Sequence, residues 1–504
     1  MAGQPGSAQE RAQAAEPRLF PDRIANWIGG EERFAYSSDV FEKVSPHDGA
    51  VLCRVARSRE IDVDAAVNAA VAAQPGWANM PGVQRGDILH AVTMGLKARA
   101  EDMARVVAKE TGKSFKDALG ETKGAVQQGL FMAGEGMRLY GRTTTSGAGN
   151  KQASVVRAPL GVAGLIIAAN TPIANVAWKV FPALICGNAA VLKASEDAPA
   201  TAWLFGEIAR EAGLPAGVLN IVQGLGPEAG RPLVADPRVA VLSFTGSTAV
   251  GREIARIGGE RLAKVSLELG GKNPLVVCDD ADLDQAVEWT VLSAFSNAGQ
   301  RCASGSRIIV FDSVYDAFRA KLLERTKTLK VGPADDDDFG PVINERQIAN
   351  MVAALERARA NGAKIIAGGA RLTDPMHARG CYLGATIVEN AGTDDEISVK
   401  ELFGPVACLY RVAGFEEALA LANNSPYGLT ACIHTKSLDR AAEFVRRVEA
   451  GTVSVNAGTY GSEPHMPFGG VKQSGNGSRE PGPEAIDFYS NLKNVYVQVH
   501  PGRA

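Results

Sequence analysis

From Val162 onward the chain alternates short apolar runs with longer stretches of helical periodicity, and this alternation constrains the fold more than any other feature. Val162 to Ala168 reads as a buried strand, Ile173 to Ile185 as a helix, Ala189 to Leu192 as a strand and Ala198 to Ala212 as a helix. The rhythm repeats through Val218 to Val222, the segment after Gly224, Ala240 to Phe244 and Thr248 to Ile257. Strand, helix, strand, helix in this order predicts a doubly wound parallel sheet.

A second α/β series follows Gly271. Its strands are Pro274 to Val277, Arg307 to Phe311, Lys364 to Ile366, Val406 to Tyr410, Ala431 to His434 and Thr452 to Val455. Its helices are Leu283 to Phe295, Val314 to Leu329 and Arg346 to Ala360. A chain of 504 residues is too long for one core. Two α/β units are therefore expected, with a site in the cleft between them.

Bulk properties exclude several classes. Apolar residues make up 46% and charged residues 22%, and a net charge of -3 supplies no basic surface for nucleic acid or anionic lipid. No stretch approaches the roughly 18 uninterrupted apolar residues of a membrane span. The first 17 residues carry Glu10 and Glu16 and have no apolar core, so they read as a disordered arm, not a targeting signal.

Seven cysteines, an odd number without a CxxC, argue against a disulfide framework or a zinc site. Cys186, Cys278, Cys408 and Cys432 sit among apolar neighbours, as small buried hydrophobes do in a reducing, cytoplasmic setting. The six histidines show no paired spacing, so no metal centre is expected.

Cys302 is different, lying in Asn297-Ala298-Gly299-Gln300-Arg301-Cys302-Ala303-Ser304. Upstream stands Leu267-Glu268-Leu269-Gly270-Gly271. Together they offer a thiol and a carboxylate, each near glycine and each following a regular element, as covalent catalysis needs. An inward-facing carboxylate in an alternating strand is costly without a purpose, and Leu267 and Leu269 would raise its pKa by desolvation.

These two segments resemble the catalytic cysteine and glutamate motifs of the aldehyde dehydrogenase superfamily, and the similarity runs from about Asn26 to about Val499. The resemblance implies an NAD-binding domain over 18–140 and 159–270, a catalytic domain over 271–480, and oligomerisation segments at 141–158 and 481–504. The tail from Leu492 to Val499 and a segment near Ser154 to Arg157 would form a small sheet reaching a partner subunit in a homodimer or homotetramer.

It also implies roles. Cys302 attacks the aldehyde, and the thiohemiacetal gives up hydride to leave a thioester. Asn170 matches the asparagine whose amide serves with the backbone N–H of Cys302 as oxyanion donor; by itself, Asn-Thr-Pro reads equally as a cap or turn. Glu268 activates water against the thioester. Lys179 and Glu480 match a pair associated with proton movement, or form a structural ion pair.

For NAD, Gly246, Ser247 and Gly251 resemble the phosphate-contacting turn, Lys193 and Glu196 the adenosine-ribose pair, and Glu401 and Phe403 the nicotinamide-ribose segment. Gly224-Leu225-Gly226-Pro227-Glu228-Ala229 fits a Rossmann glycine fingerprint, but no acidic residue closes the next strand, so it reads as a structural turn. Thr171, Asn175, Trp178, Arg301 and the loop Ala457 to His465 should line the aldehyde tunnel, supported by Phe468. Arg301 either forks onto a substrate carboxylate, favouring a polar or anionic semialdehyde, or is tied up within the fold, favouring an aromatic or aliphatic aldehyde. Two rivals remain: a CoA-acylating semialdehyde dehydrogenase, against which Glu268 argues, and a catalytically idle protein on the same fold.

Overall fold

The computed structural model describes residues 20–500; the arm expected over 1–17 lies outside them. Two seven-stranded sheets dominate. The first runs in the order Lys264–Glu268, Val239–Thr245, Val162–Ile166, Ala189–Lys193, Leu219–Val222, Asn26–Ile28, Glu31–Arg33. Its first five strands are mutually parallel and its last two antiparallel. Strands Ala189–Lys193 and Leu219–Val222 are buried at every position, which is why they read as unbroken apolar runs.

The second sheet runs Lys364–Ala367, Thr386–Glu389, Val406–Val412, Gly305–Phe311, Asn273–Val277, Thr430–His434, Thr452–Val455. It is parallel except at the Lys364–Ala367 edge. Strand Thr386–Glu389 is one that the sequence pattern did not mark. The architecture is α/β with two doubly wound-type sheets, as the alternation predicts.

Strand Ser490–Gln498 pairs antiparallel with Lys151–Pro159 from Ser490 opposite Pro159 to Gln498 opposite Lys151. Arg142–Thr144 adds a third strand to this tail sheet. Four helices absent from the sequence reading, Glu60–Asn79, Gly82–Ala98, Ala100–Thr111 and Phe115–Glu135, pack on the first sheet and its helices. The Arg85 guanidinium donates to the carbonyls of Ala78, Met80 and Ile185, tying the loop after one of these helices to the end of helix Pro172–Ile185. Among the described residues no helix is long and apolar enough to cross a membrane.

Candidate active site

The carboxyl ends of the first sheet's parallel strands gather the candidate residues, as open α/β sheets do. Strand Val162–Ile166 ends two residues before the sequence pattern suggests, and the chain turns through Asn170 and Thr171 into helix Pro172–Ile185. Pro172, at the first helical position, suits the fixed φ needed there. The helix's open amides at Ile173 and Ala174 donate to Glu121 Oε1 at 2.9 and 3.3 Å. Glu121 is in turn paired with Lys113 at 2.5 Å, both side chains nearly buried. Lys113 Nζ also donates to the Asn170 carbonyl at 2.7 Å. A carboxylate thus satisfies the helix N-terminus and a cation fixes the peptide before it.

The nucleophile loop begins where helix Leu283–Phe295 ends. Asn297, Ala298 and Gly299 take φ of 53°, 52° and 65°, three successive left-handed residues. For Asn297 and Ala298 this strain costs roughly 1–3 kcal/mol each and persists only where surroundings over-determine it. They do so here. Asn273 Nδ2 donates to the carbonyls of Cys302 (2.7 Å) and Ser304 (2.9 Å), Ser304 Oγ donates to the Gly299 carbonyl at 3.0 Å, and Thr459 Oγ1 donates to the Ala303 carbonyl at 2.6 Å. Asn170 Nδ2 donates to the Gln300 carbonyl at 3.0 Å, and Asn297 Nδ2 returns a bond to the Asn170 carbonyl at 3.2 Å. Oxyanion candidate and nucleophile loop are therefore locked together.

Burial pushes the Cys302 thiol up to about 12, and the negative charges of Glu401 and Glu268 add to this. At neutral pH the resting thiol is protonated and needs a base before it can attack. Glu268 ends strand Lys264–Glu268, is 5% exposed, and has no hydrogen-bond partner for either carboxylate oxygen among the described residues. Burial, and then the charge of Glu480, raise it well above the usual carboxylate range, while Lys179 and Arg479 oppose. An unpartnered buried carboxyl of this kind is poised for proton transfer. Gly469, at φ 151°, leaves the space: a Cβ there would come 2.8 Å from Glu268 Oε1.

Behind Glu268 lies a closed polar cluster. Lys179 Nζ donates to Glu480 Oε2 at 2.8 Å and to Ser243 Oγ at 2.6 Å, Ser243 Oγ donates to Glu480 Oε2 at 3.0 Å, and Tyr489 OH donates to Glu480 Oε1 at 2.7 Å. Ser243 and Tyr489 carry no sequence mark beyond their place in apolar surroundings.

A cavity of about 590 Å³ runs between the sheets and ends at Asn170, Asn297 and Gln300. Lys193, Glu196, Gly246, Ser247 and Phe403 line it. Lys193 and Glu196 pair at 3.0 Å. Burial works against ionising Glu196, but the Lys193 ammonium and its hydrogen bond, a backbone N–H and the Arg346 charge together hold the carboxyl below its usual range. Ser247 caps helix Thr248–Glu260, so the helix N-terminus faces the cavity.

Three placements add to the expectations. Gly251 lies inside that helix, where a Cβ would come 2.5 Å from Leu269, so it serves helix-to-strand packing and does not line the cavity. Glu401 Oε1 accepts the Gly271 N–H at 3.0 Å, and its charge reaches Cys302. The segment read as a structural turn forms a single wide π-helical turn, Gly226–Gly230, and puts Gly226, Pro227 and Gly230 on the cavity wall.

On the substrate side, the rings of Trp178 and Phe468 lie 5.3 Å apart. Asn175 Nδ2 donates to Thr171 Oγ1 (3.0 Å) and to its carbonyl (2.9 Å), so part of their polarity is spent on each other. Arg301 sits over Tyr460 at 4.9 Å, and its guanidinium is 3.9 Å from Asp117, a partner the sequence did not suggest. Arg301 Nε and Asp117 Oδ2 are buried without a hydrogen bond among the described residues. No group of three His, Cys, Asp or Glu among the described residues is placed to hold a metal ion.

The profile of the aldehyde dehydrogenase family matches residues 34–495. The chain is 37% identical over 476 residues to an alpha-ketoglutaric semialdehyde dehydrogenase of Bacillus subtilis, covering 94% of this chain and 98% of that one. It is 36% identical over 477 residues to an alpha-ketoglutarate semialdehyde dehydrogenase of Haloferax volcanii, covering 94% and 99%. Its fold superimposes with a TM-score of 0.93 and 30% identity on betaine aldehyde dehydrogenase of Staphylococcus aureus, a structure in complex with NAD+, covering 95% of each chain. With the sheets, the site and these matches in agreement, the chain belongs to the aldehyde dehydrogenase family.

Proposed function

We propose that this enzyme oxidises a semialdehyde bearing a carboxylate to the corresponding acid, with NAD as hydride acceptor. The reading is carried by Arg301, next to the nucleophile in the chain, whose Nε is buried without a hydrogen bond and whose ion-pair partner among the described residues, Asp117, stays 3.9 Å away. A cation so incompletely satisfied gains from a second carboxylate. The names of the two semialdehyde dehydrogenase relatives support the same class.

The cavity fits a dinucleotide. It supplies a lysine–glutamate pair for ribose hydroxyls, a helix N-terminus for the pyrophosphate and apolar walls from Ile166, Val250 and Ile254. A nicotinamide held there supplies the hydride acceptor.

The chain's own groups do the rest. Glu268 takes the thiol proton, and Cys302 Sγ bonds to the aldehyde carbon. The Asn170 amide and the Cys302 backbone N–H hold the oxyanion of the thiohemiacetal. Loss of hydride leaves a thioester on Cys302. Glu268, relieved of its proton, takes another from water as the oxygen adds to the thioester; the acid departs and the thiol is restored. Lys179 and Glu480 pair behind Glu268 and set the charges it faces. The tail sheet, whose strand exposes Leu492, Tyr496 and Val497, is read as the contact of a cytoplasmic homodimer or homotetramer.

The Trp178–Phe468 pair favours the rival reading, an aromatic or aliphatic aldehyde. The test is a plate of purified enzyme with NAD against 4-oxobutanoate, 5-oxopentanoate, propanal and benzaldehyde, with Cys302→Ala as blank. The anionic pair should lead in kcat/KM by tenfold or more. A lead for the neutral aldehydes would overturn the reading.

A further inference from the structure

We propose that Tyr489 is a positioning residue for the general base: its hydroxyl donates to the Glu480 carboxylate beside Glu268, neutralises part of that charge and so tunes Glu268 for activating water. This rests on the reading of Glu268 as that base.

Three donors from three elements converge on the Glu480 carboxylate: Lys179 from helix Pro172–Ile185, Ser243 from strand Val239–Thr245 and Tyr489 from the end of helix Glu484–Tyr489. Lys179, Glu480 and Tyr489 are at most 1% exposed, so no solvent substitutes for a lost donor. Burial, and then the charge of Glu480, keep the Tyr489 phenol protonated and therefore a donor across the working pH range.

The sign of the effect follows from what faces Glu268. Glu480 and Arg479 reach it from the segment before the tail, Lys179 from its helix and Cys302 from the nucleophile loop. Arg479 is occupied by the carbonyls of Gly470 and Ser478. Cys186, which faces Tyr489, is a thiol pushed up to about 12 by burial and carries no charge. Without the phenol donor, the Glu480 carboxylate, still paired with Lys179, has less of its charge neutralised, and the stronger repulsion makes Glu268 harder to ionise.

Tyr489 also precedes the tail strand directly. Its carbonyl accepts from Asn188 Nδ2 at 2.8 Å, so the seating of Ser490–Gln498 fixes where the phenol lies. The general base is thereby tied to the tail sheet.

The experiment is the pH dependence of steady-state turnover with NAD and saturating 4-oxobutanoate or propanal, whichever the parent oxidises faster. Pre-steady-state NADH is recorded on the same samples. Tyr489→Phe is expected to move the acid limb of turnover to higher pH by up to about one unit. It should leave the plateau above the limb and the burst amplitude close to those of the parent. Ser243→Ala, which removes another donor, should shift the limb the same way and serves if Tyr489→Phe fails to fold. In a Glu480→Gln background, Tyr489→Phe should add no shift. A uniform rate loss with the limb unmoved, or a shift to lower pH, in folded single variants would overturn the role of Tyr489 alone. A parent enzyme with no acid limb would overturn the reading of Glu268 and this proposal with it.

Discussion

Asn170→Ala separates an oxyanion donor from a helix cap. One Asn170 N–H is committed to the Gln300 carbonyl at 3.0 Å, leaving the second to meet the oxyanion. Removing a preorganised oxyanion donor costs about 10²–10³ in kcat, or about 2.7–4 kcal/mol. The substitution also cuts the tether to Gln300, worth about 1 kcal/mol, and so loosens a loop already holding Asn297 and Ala298 in strained geometry. Together these put the loss near 10³. Asn170→Asp sharpens the test. As a cap, Asp equals Asn; as an oxyanion donor it fails outright, because it sets a carboxylate against both the Gln300 carbonyl and the developing charge. The assay is stopped-flow NADH formation in a single turnover at saturating NAD and aldehyde, with melting temperature as a folding control. The order Asn, Ala, Asp in falling rate is expected. An Ala variant within about threefold of the parent, or an Asp variant as active as Asn170, would refute the reasoning.

Three further outcomes are expected. Arg301→Leu should lower kcat/KM for an anionic semialdehyde tenfold or more, consistent with a lost desolvated charge contact of about 2–5 kcal/mol, while sparing a neutral aldehyde of equal length; equal losses would make Arg301 a scaffold residue. Glu196→Ser should narrow the preference for NAD over NADP measured as a ratio of kcat/KM, because the ionised Glu196 repels a 2′-phosphate; an unchanged ratio would remove Glu196 from cofactor choice. Glu401→Gln should speed alkylation of Cys302 by iodoacetamide severalfold at pH 8–9, since Glu401 is the largest charge pushing the thiol up. Burial raises Glu401 to about 7, so it is neutral below that pH and the two rates should converge there; a gain independent of pH would contradict this.

How much of this was legible in the sequence depended on whether a residue's cause was local. Helix Leu283–Phe295 and strand Thr452–Val455 have the bounds their periodicity predicts. Cys302 and Glu268 stand out because polar or charged groups break an otherwise apolar, glycine-bounded pattern. Residues whose roles come from distant partners were silent. Nothing near Ala298 announces a left-handed backbone, because the turn is imposed by packing: a Cβ on the next residue, Gly299, would strike the Gly404 carbonyl. Lys113 and Glu121 read as ordinary helix-flanking charges until the fold sets them under Asn170. The helices from Glu60 to Glu135 escaped because alanine and glycine on both faces blur the period on which such assignments rest. The other glycine turn misled for the opposite reason: its fingerprint is judged by a ribose-binding acid at the end of the next strand, whereas in this fold Glu196, one of three acids on the cavity wall, follows the preceding one.

The central claim is that Cys302 carries a thioester which Glu268 delivers to water. Glu268→Gln, mixed rapidly with NAD and aldehyde and followed by absorbance and intact mass, tests it directly. One equivalent of NADH should form per active site, more slowly than in the parent because the thiol has lost its base, after which turnover should stall with an acyl adduct on the Cys302 peptide, and added CoA should not restore turnover. Normal steady-state turnover with no adduct would contradict the claim, and rapid release of an acyl-CoA would replace water with a thiol as the acceptor.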